Sequence, residues 1–114
     1  MKHFKRTEFL CGCGCGFGTV DFELAEVLDD VREHFDGPVV ITSGARCPTH
    51  NRRVGGAPDS EHLRGTAADI KVDGVPAHVV YDYLTTKYPG KYGIGKYATW
   101  THIDVRLRAA RWIK

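Results

Sequence analysis

The sequence predicts an α+β domain in which two principal helices pack against a small, mainly antiparallel sheet, with one long loop between strands. Three observations predict it. The chain has 114 residues, 42% hydrophobic and 26% charged, which suits one core and leaves no room for a second domain. Two stretches carry apolar residues at helical spacing, and the segments between and after them read as short strands, the last pair as a hairpin. No repeats, low-complexity tracts or linkers interrupt it, so residues 1–114 are taken as a single domain.

The amino terminus, Met1 to Thr7, is basic but runs into Glu8 and a Cys/Gly cluster. A signal peptide would need an apolar region of about 7–15 residues there, so synthesis in the cytoplasm without a signal peptide is the expectation. Cys11, Cys13 and Cys15 alternate with glycines, and Cys47 lies far along the chain. Neighbours two apart bridge each other poorly, which leaves one disulfide from the cluster to Cys47, free thiols, or a structural metal site. Four-thiolate zinc sites usually place two to four residues between paired cysteines, wider than the single glycines here, so free or partly buried thiols are the default.

Asp21 can cap a first helix whose Leu24, Leu28, Val31 and Phe35 recur at helical spacing until Gly37-Pro38 stops it. Its polar face (Glu23, Glu26, Asp29, Asp30, Arg32 and Glu33) reads as ordinary solvation. Residues 38–43 form a β-branched strand, followed by an irregular stretch from Gly44 to about Ser60 that carries Arg46, His50, Asn51, Arg52 and Arg53. Loops of that length are usually functional or disordered. A second strand spans residues 67–72, and a second helix starts near Pro76, presents Val79, Val80, Tyr83 and Leu84, and ends at Pro89-Gly90. The tail forms the hairpin, residues 91–97 returning as 100–106. Period two then sets Trp100, His102, Asp104 and Arg106 on a face away from the core, with Thr101, Ile103 and Val105 on the other.

Sixteen basic against fourteen acidic residues leave a net charge of +2, so nothing points to nucleic acid or a polybasic membrane surface. The longest apolar stretches, such as Pro38 to Ile41, fall far short of the roughly 20 residues of a membrane helix, so no membrane insertion is expected.

The strongest chemical signal is Ser60-Glu61-His62-Leu63-Arg64-Gly65-Thr66-Ala67-Ala68-Asp69, joined 33 residues after Asp69 by His102. Two imidazoles and a carboxylate match the three protein ligands of catalytic zinc sites, which leave a fourth position for water. Gly65 permits a tight turn after His62, and small Ala67 and Ala68 let a strand bring Asp69 back beneath it. Spacing alone is a loose signature, because a single strand histidine is more often structural.

The whole run Thr42 to Ile70, with its compound S-x-H-x-x-G-x-A-x-D pattern, followed by His102-Ile103-Asp104-Val105-Arg106, resembles the zinc D-alanyl-D-alanine carboxypeptidase-like family of murein peptidases. Within it the chain is similar to the short branch of phage lysins and murein endopeptidases, from about residue 4 to residue 106. The resemblance implies one catalytic zinc ion held by His62, Asp69 and His102, and an Arg46 that faces substrate, where it would grip a carboxylate or stabilise an oxyanion. Many relatives carry an acidic residue three positions before the last histidine, where this chain has Thr99. Asp104 is the nearest carboxylate and would act as general base or orient a ligand. Ser60, His50 and Asn51 would orient substrate or cap the loop, with structure favoured for Ser60 and Asn51. Gly55 and Gly56 would serve turns, and Trp100, Tyr92 and Tyr97 would wall the cleft or pack the hairpin.

The long stretch from Gly44 is on this reading an active-site loop. The implied substrate is a peptidoglycan stem peptide or cross-link, cut by carboxypeptidase or endopeptidase action. The implied setting is a monomeric phage or prophage lysin that reaches the cell wall after release, or a virion-associated enzyme. Two other readings stand beside it: a non-catalytic, zinc-stabilised cell-wall-binding or interaction module, and a zinc-ribbon-like adaptor built on the four cysteines.

Overall fold

A computed structural model describes all residues, Met1–Lys114. Helix α1 spans Phe22–Phe35, strand β1 Val39–Ser43, helix α2 Pro48–Arg53, strand β2 Ala67–Val72, helix α3 Ala77–Lys87, and strands β3, β4 and β5 span Gly93–Lys96, Thr101–Asp104 and Ala110–Ile113. Short 3-10 turns occupy Arg6–Phe9 and Glu61–Arg64.

Asp21 caps α1 as its sequence position implies, its Oδ2 accepting from the N–H groups of Glu23 at 2.9 Å and Leu24 at 3.2 Å. The helix buries Leu24, Ala25, Val27, Leu28 and Val31 and ends where Asp36 turns left-handed. Its polar face does more than meet solvent. Asp29 accepts from the N–H groups of Lys2 and His3, both at 3.0 Å, Asp30 takes the Tyr83 hydroxyl at 2.6 Å, and Glu23 takes that of Tyr92 at 2.7 Å. These bonds tie the amino-terminal arm, α3 and the start of β3 to one helix.

The sheet runs in the order β1-β2-β4-β3-β5, antiparallel throughout except for the parallel β3–β5 pair. Apolar residues of β2, β3 and β4, namely Ile70, Ile94 and Ile103, meet Leu28, Val80 and Leu84 of the helices in one core. Burying such side chains supplies the main stabilisation, about 1.5–3 kcal/mol for each large one. The alternation expected for β4 holds in part: Ile103 joins the core, but Asp104 on the opposite side is fully excluded from solvent.

Two expectations need correcting. The stretch from Gly44 to Ser60 is not irregular throughout, because Cys47 and Pro48 start the six-residue α2, with the Cys47 Sγ accepting from the His50 N–H at 3.4 Å. Pro-Thr-His-Asn-Arg-Arg has no apolar stripe, so periodicity could not reveal it. The sheet also gains β5, beyond the hairpin, which pairs Gly93↔Ala110 through Lys96↔Ile113. Its alternating Arg111 and Trp112 are half-buried at a sheet edge and carry little pattern.

Candidate metal centre and cleft

Three elements converge on one buried point. Strand pairing sets Asp69 of β2 directly opposite His102 of β4, so their side chains leave the sheet on the same face. His62 arrives from the 3-10 turn, whose start is capped by the Ser60 hydroxyl accepting from the His62 N–H at 3.2 Å. Gly65 closes that turn at φ +70°, and a Cβ there would sit 2.2 Å from the carbonyl oxygen of Thr19. Only glycine satisfies both the left-handed backbone and this close approach.

The hydrogen bonds assign which atoms face the point. His62 Nδ1 lies 2.7 Å from the Gly44 carbonyl, which can only accept, so Nδ1 donates and Nε2 keeps its lone pair. That Nε2 is buried without a hydrogen-bond partner, 3.3 Å from Asp69 Oδ1. His102 points Nδ1 at the same oxygen at 2.9 Å, while its Nε2 donates to Asp104 Oδ2 at 2.7 Å. One ligand atom from each of His62, Asp69 and His102 lies within 4.8 Å of the others. A buried, orphaned imidazole nitrogen is costly unless something fills its lone pair. Two imidazoles and one carboxylate form a donor set used by catalytic zinc, so the residues fit the ion.

Electrostatics follow from this packing. Burial alone would raise the Asp69 pKa, but the hydrogen bond from His102 and the charge of that ring overcome it and hold the carboxyl well below its usual range. Burial likewise works against a charged His102, yet Asp104 and Asp69 on its two edges push its pKa up. Asp104 is lowered to about 2 despite burial, chiefly by the Arg106 guanidinium and then by His102.

Arg46 lies beside the centre. Its Nη2 donates to Asp69 Oδ2 at 3.4 Å, Nε to Ser43 Oγ at 3.1 Å and Nη1 to Asn51 Oδ1 at 3.3 Å. Asn51, buried on α2, is itself held by the Ala57 carbonyl at 2.9 Å. The guanidinium is thus fixed by side chains while one edge of the residue stays open to the cleft.

That cleft, of about 480 Å³, takes its walls from the residue 54–61 segment and from the hairpin and tail. Tyr97 and Trp100 stack at 4.6 Å with planes 8° apart, and Trp112 of β5 donates from Nε1 to the Tyr97 hydroxyl at 3.0 Å. Tyr92 is in the core instead, and His50 lies outside the cleft with its ring against Gly12. Gly55, Gly56 and Ser60 line it. Sequence reasoning did not single out Trp112, Lys114, Asp59 or Glu61, all of which line the cleft. Glu61 lay within the quoted motif and Asp59 one residue before it, and this placement beside His62 was the available signal; β5 offered none. None of the four cysteines lines the cleft.

A family model described as Peptidase M15 matches residues 2–104, a span that includes Arg46, all three members of the buried set and Asp104. No curated protein matches the chain.

Proposed function

The chain belongs to the Peptidase M15 family, and from that membership we propose that this zinc peptidase hydrolyses amide bonds of peptidoglycan stem peptides or cross-links, as the monomeric catalytic domain of a phage or prophage lysin. The observation that carries the assignment of the centre is the orphaned His62 Nε2 facing Asp69 and His102 at the edge of an open cleft.

His62 Nε2, Asp69 Oδ1 and His102 Nδ1 would hold the ion. A bound zinc ion supplies Lewis acidity, polarising an amide carbonyl and making water ionisable near neutral pH. The protein does the rest by position. Gly44 fixes the His62 ring, and Asp104 fixes the His102 ring from its far edge. Second partners of this kind set tautomer and orientation in metal sites. Arg46 presents a preorganised guanidinium where an oxyanion or a substrate carboxylate would lie. Asp104, sealed beneath Arg106, positions His102 rather than moving a proton, which leaves Asp59 and Glu61 as the cleft carboxylates that solvent reaches.

The test is mass analysis of fragments from purified murein incubated with the zinc-loaded protein and with His62→Ala, beside metal content for both. Stem-peptide cleavage that disappears with the His62-dependent ion supports the proposal and names the bond. Thr99, standing where many relatives carry an acid, favours one other reading, a zinc-stabilised wall-binding module. Zinc-loaded protein that sediments with murein and releases no fragments would establish that reading instead.

A further inference from the structure

We propose that Cys11, Cys13, Cys15 and Cys47 form a second metal site, a closed four-thiolate zinc centre that pins the amino-terminal arm to the loop carrying Arg46. The four sulfurs lie within 4.8 Å of one another, with Cys11 and Cys13 at 3.5 Å and Cys13 and Cys47 at 3.6 Å. Zinc–sulfur bonds of about 2.3 Å at tetrahedral angles separate sulfurs by about 3.8 Å, so the thiols already stand close to the spacing the ion needs. A disulfide would use two of them and leave the convergence of the other two without a cause.

The backbone explains how one-residue spacing suffices. The Gly14 N–H donates to the Cys11 carbonyl at 3.1 Å, closing a turn around Cys13. Gly14 and Gly16 then adopt φ +83° and +91°, conformations that reverse the chain, and the Cys11 N–H closes the loop on the Phe17 carbonyl at 2.7 Å. A strand would send Cys11, Cys13 and Cys15 out in a row; this loop folds them around a common point. Two backbone donors also reach the sulfurs, Cys47 N–H to Cys11 Sγ and His50 N–H to Cys47 Sγ, each at 3.4 Å. Such donors favour thiolate, the form that binds metal.

The location gives the centre its role. Cys47 follows Arg46 and caps α2, whose Asn51 holds the Arg46 guanidinium. On the other side the Ala45 N–H donates to the Phe9 carbonyl at 3.0 Å, two residues before Cys11. An ion shared by residues 11–15 and Cys47 therefore cross-links the two chain segments behind the cleft. Four protein ligands leave no open position, so the centre is structural.

Zinc stoichiometry and cobalt(II) spectra separate this site from the His62 site. Native protein is expected to hold two zinc ions per chain, and Cys13→Ser/Cys15→Ser and His62→Ala one each. Cys13 and Cys15 are exposed, so the double substitution disturbs no packing. Cobalt-loaded His62→Ala should retain strong sulfur-to-metal charge-transfer absorption, and the cobalt-loaded double variant should lose it. The proposal is overturned if native protein binds a single zinc that His62→Ala removes, if the absorption survives the double substitution, or if the native chain carries a disulfide among these cysteines.

Discussion

Both oxygens of Asp104 are taken. Oδ1 accepts from the N–H groups of Gly93 and Arg106 at 3.1 Å each and from Arg106 Nε at 2.8 Å, and Oδ2 accepts from Arg106 Nη2 and His102 Nε2 at 2.7 Å each. A base needs a free lone pair and a path to the reacting proton, and this carboxylate has neither. Asp104→Asn is therefore expected to weaken zinc binding by about 10–100-fold, with turnover recovering at saturating zinc. Chelator competition beside kcat at full occupancy checks this, and a collapsed kcat with unchanged affinity would return Asp104 to the role of base. Arg46→Lys keeps the charge and loses the fork that spans Ser43, Asn51 and Asp69. It should lower kcat/KM by about 100-fold with zinc content intact, the size seen when one oxyanion donor is removed. The convergence of His62, Asp69 and His102 was legible because their motif is compact and each type has a known appetite for metal. The division of labour was not, since it depends on which edge of His102 faces which carboxylate, and that is decided by strand pairing rather than spacing.

At the scale of elements, α1, β1, β2, α3 and the hairpin could be read from periodicity because each has one face on the core. Helix α2 and strand β5 could not, having no apolar stripe to display, yet both shape the cleft: α2 through Asn51, β5 through Trp112. A chain ending at Arg108 should keep its His62-dependent zinc, because His62, Asp69 and His102 all precede β5, but lose the Trp112 and Lys114 wall and bare the edge of β3. A raised KM and greater self-association, followed by kinetics and light scattering, are the expected signs; an unchanged KM would remove β5 from the substrate site. The turn bearing His62 is the other sensitive element. Gly65→Ala imposes a left-handed alanine and drives its Cβ onto the Thr19 carbonyl just before the α1 cap. Destabilisation of about 2 kcal/mol is expected in urea unfolding, with weaker zinc binding because the His62 turn must shift. Unchanged zinc affinity would show that the turn adapts without moving the ligand.

Across the whole molecule, the buried centre couples folding to protons, and a bound ion would add metal to that coupling. Without zinc, Asp104 titrates at about 2 against an ordinary 3.8, so its stabilisation is present above pH 3.8 and fades as pH falls toward 2; Asp69 acts in the same direction. His102 has the opposite sign. Its pKa is raised above 6.5 in the folded chain, so its contribution is complete below pH 6.5 and is lost as pH rises through the folded value. Metal-free protein is therefore expected to be most stable from about pH 4 to pH 6.5 and to weaken on both sides. A zinc ion held by His62, Asp69 and His102 would compete with the proton on His102, so loading should cancel the alkaline loss, and acid, by protonating these residues, should release the ion. Thermal unfolding in chelator and in zinc, measured across that range and into alkali, should show a gap in Tm that widens as pH rises. The His62→Ala chain should keep only the share of the gap that the cysteine centre adds, so the difference between the two chains isolates the His62 site. A gap that stays flat with pH in the native protein would mean that the proton on His102 and the ion do not compete for one nitrogen.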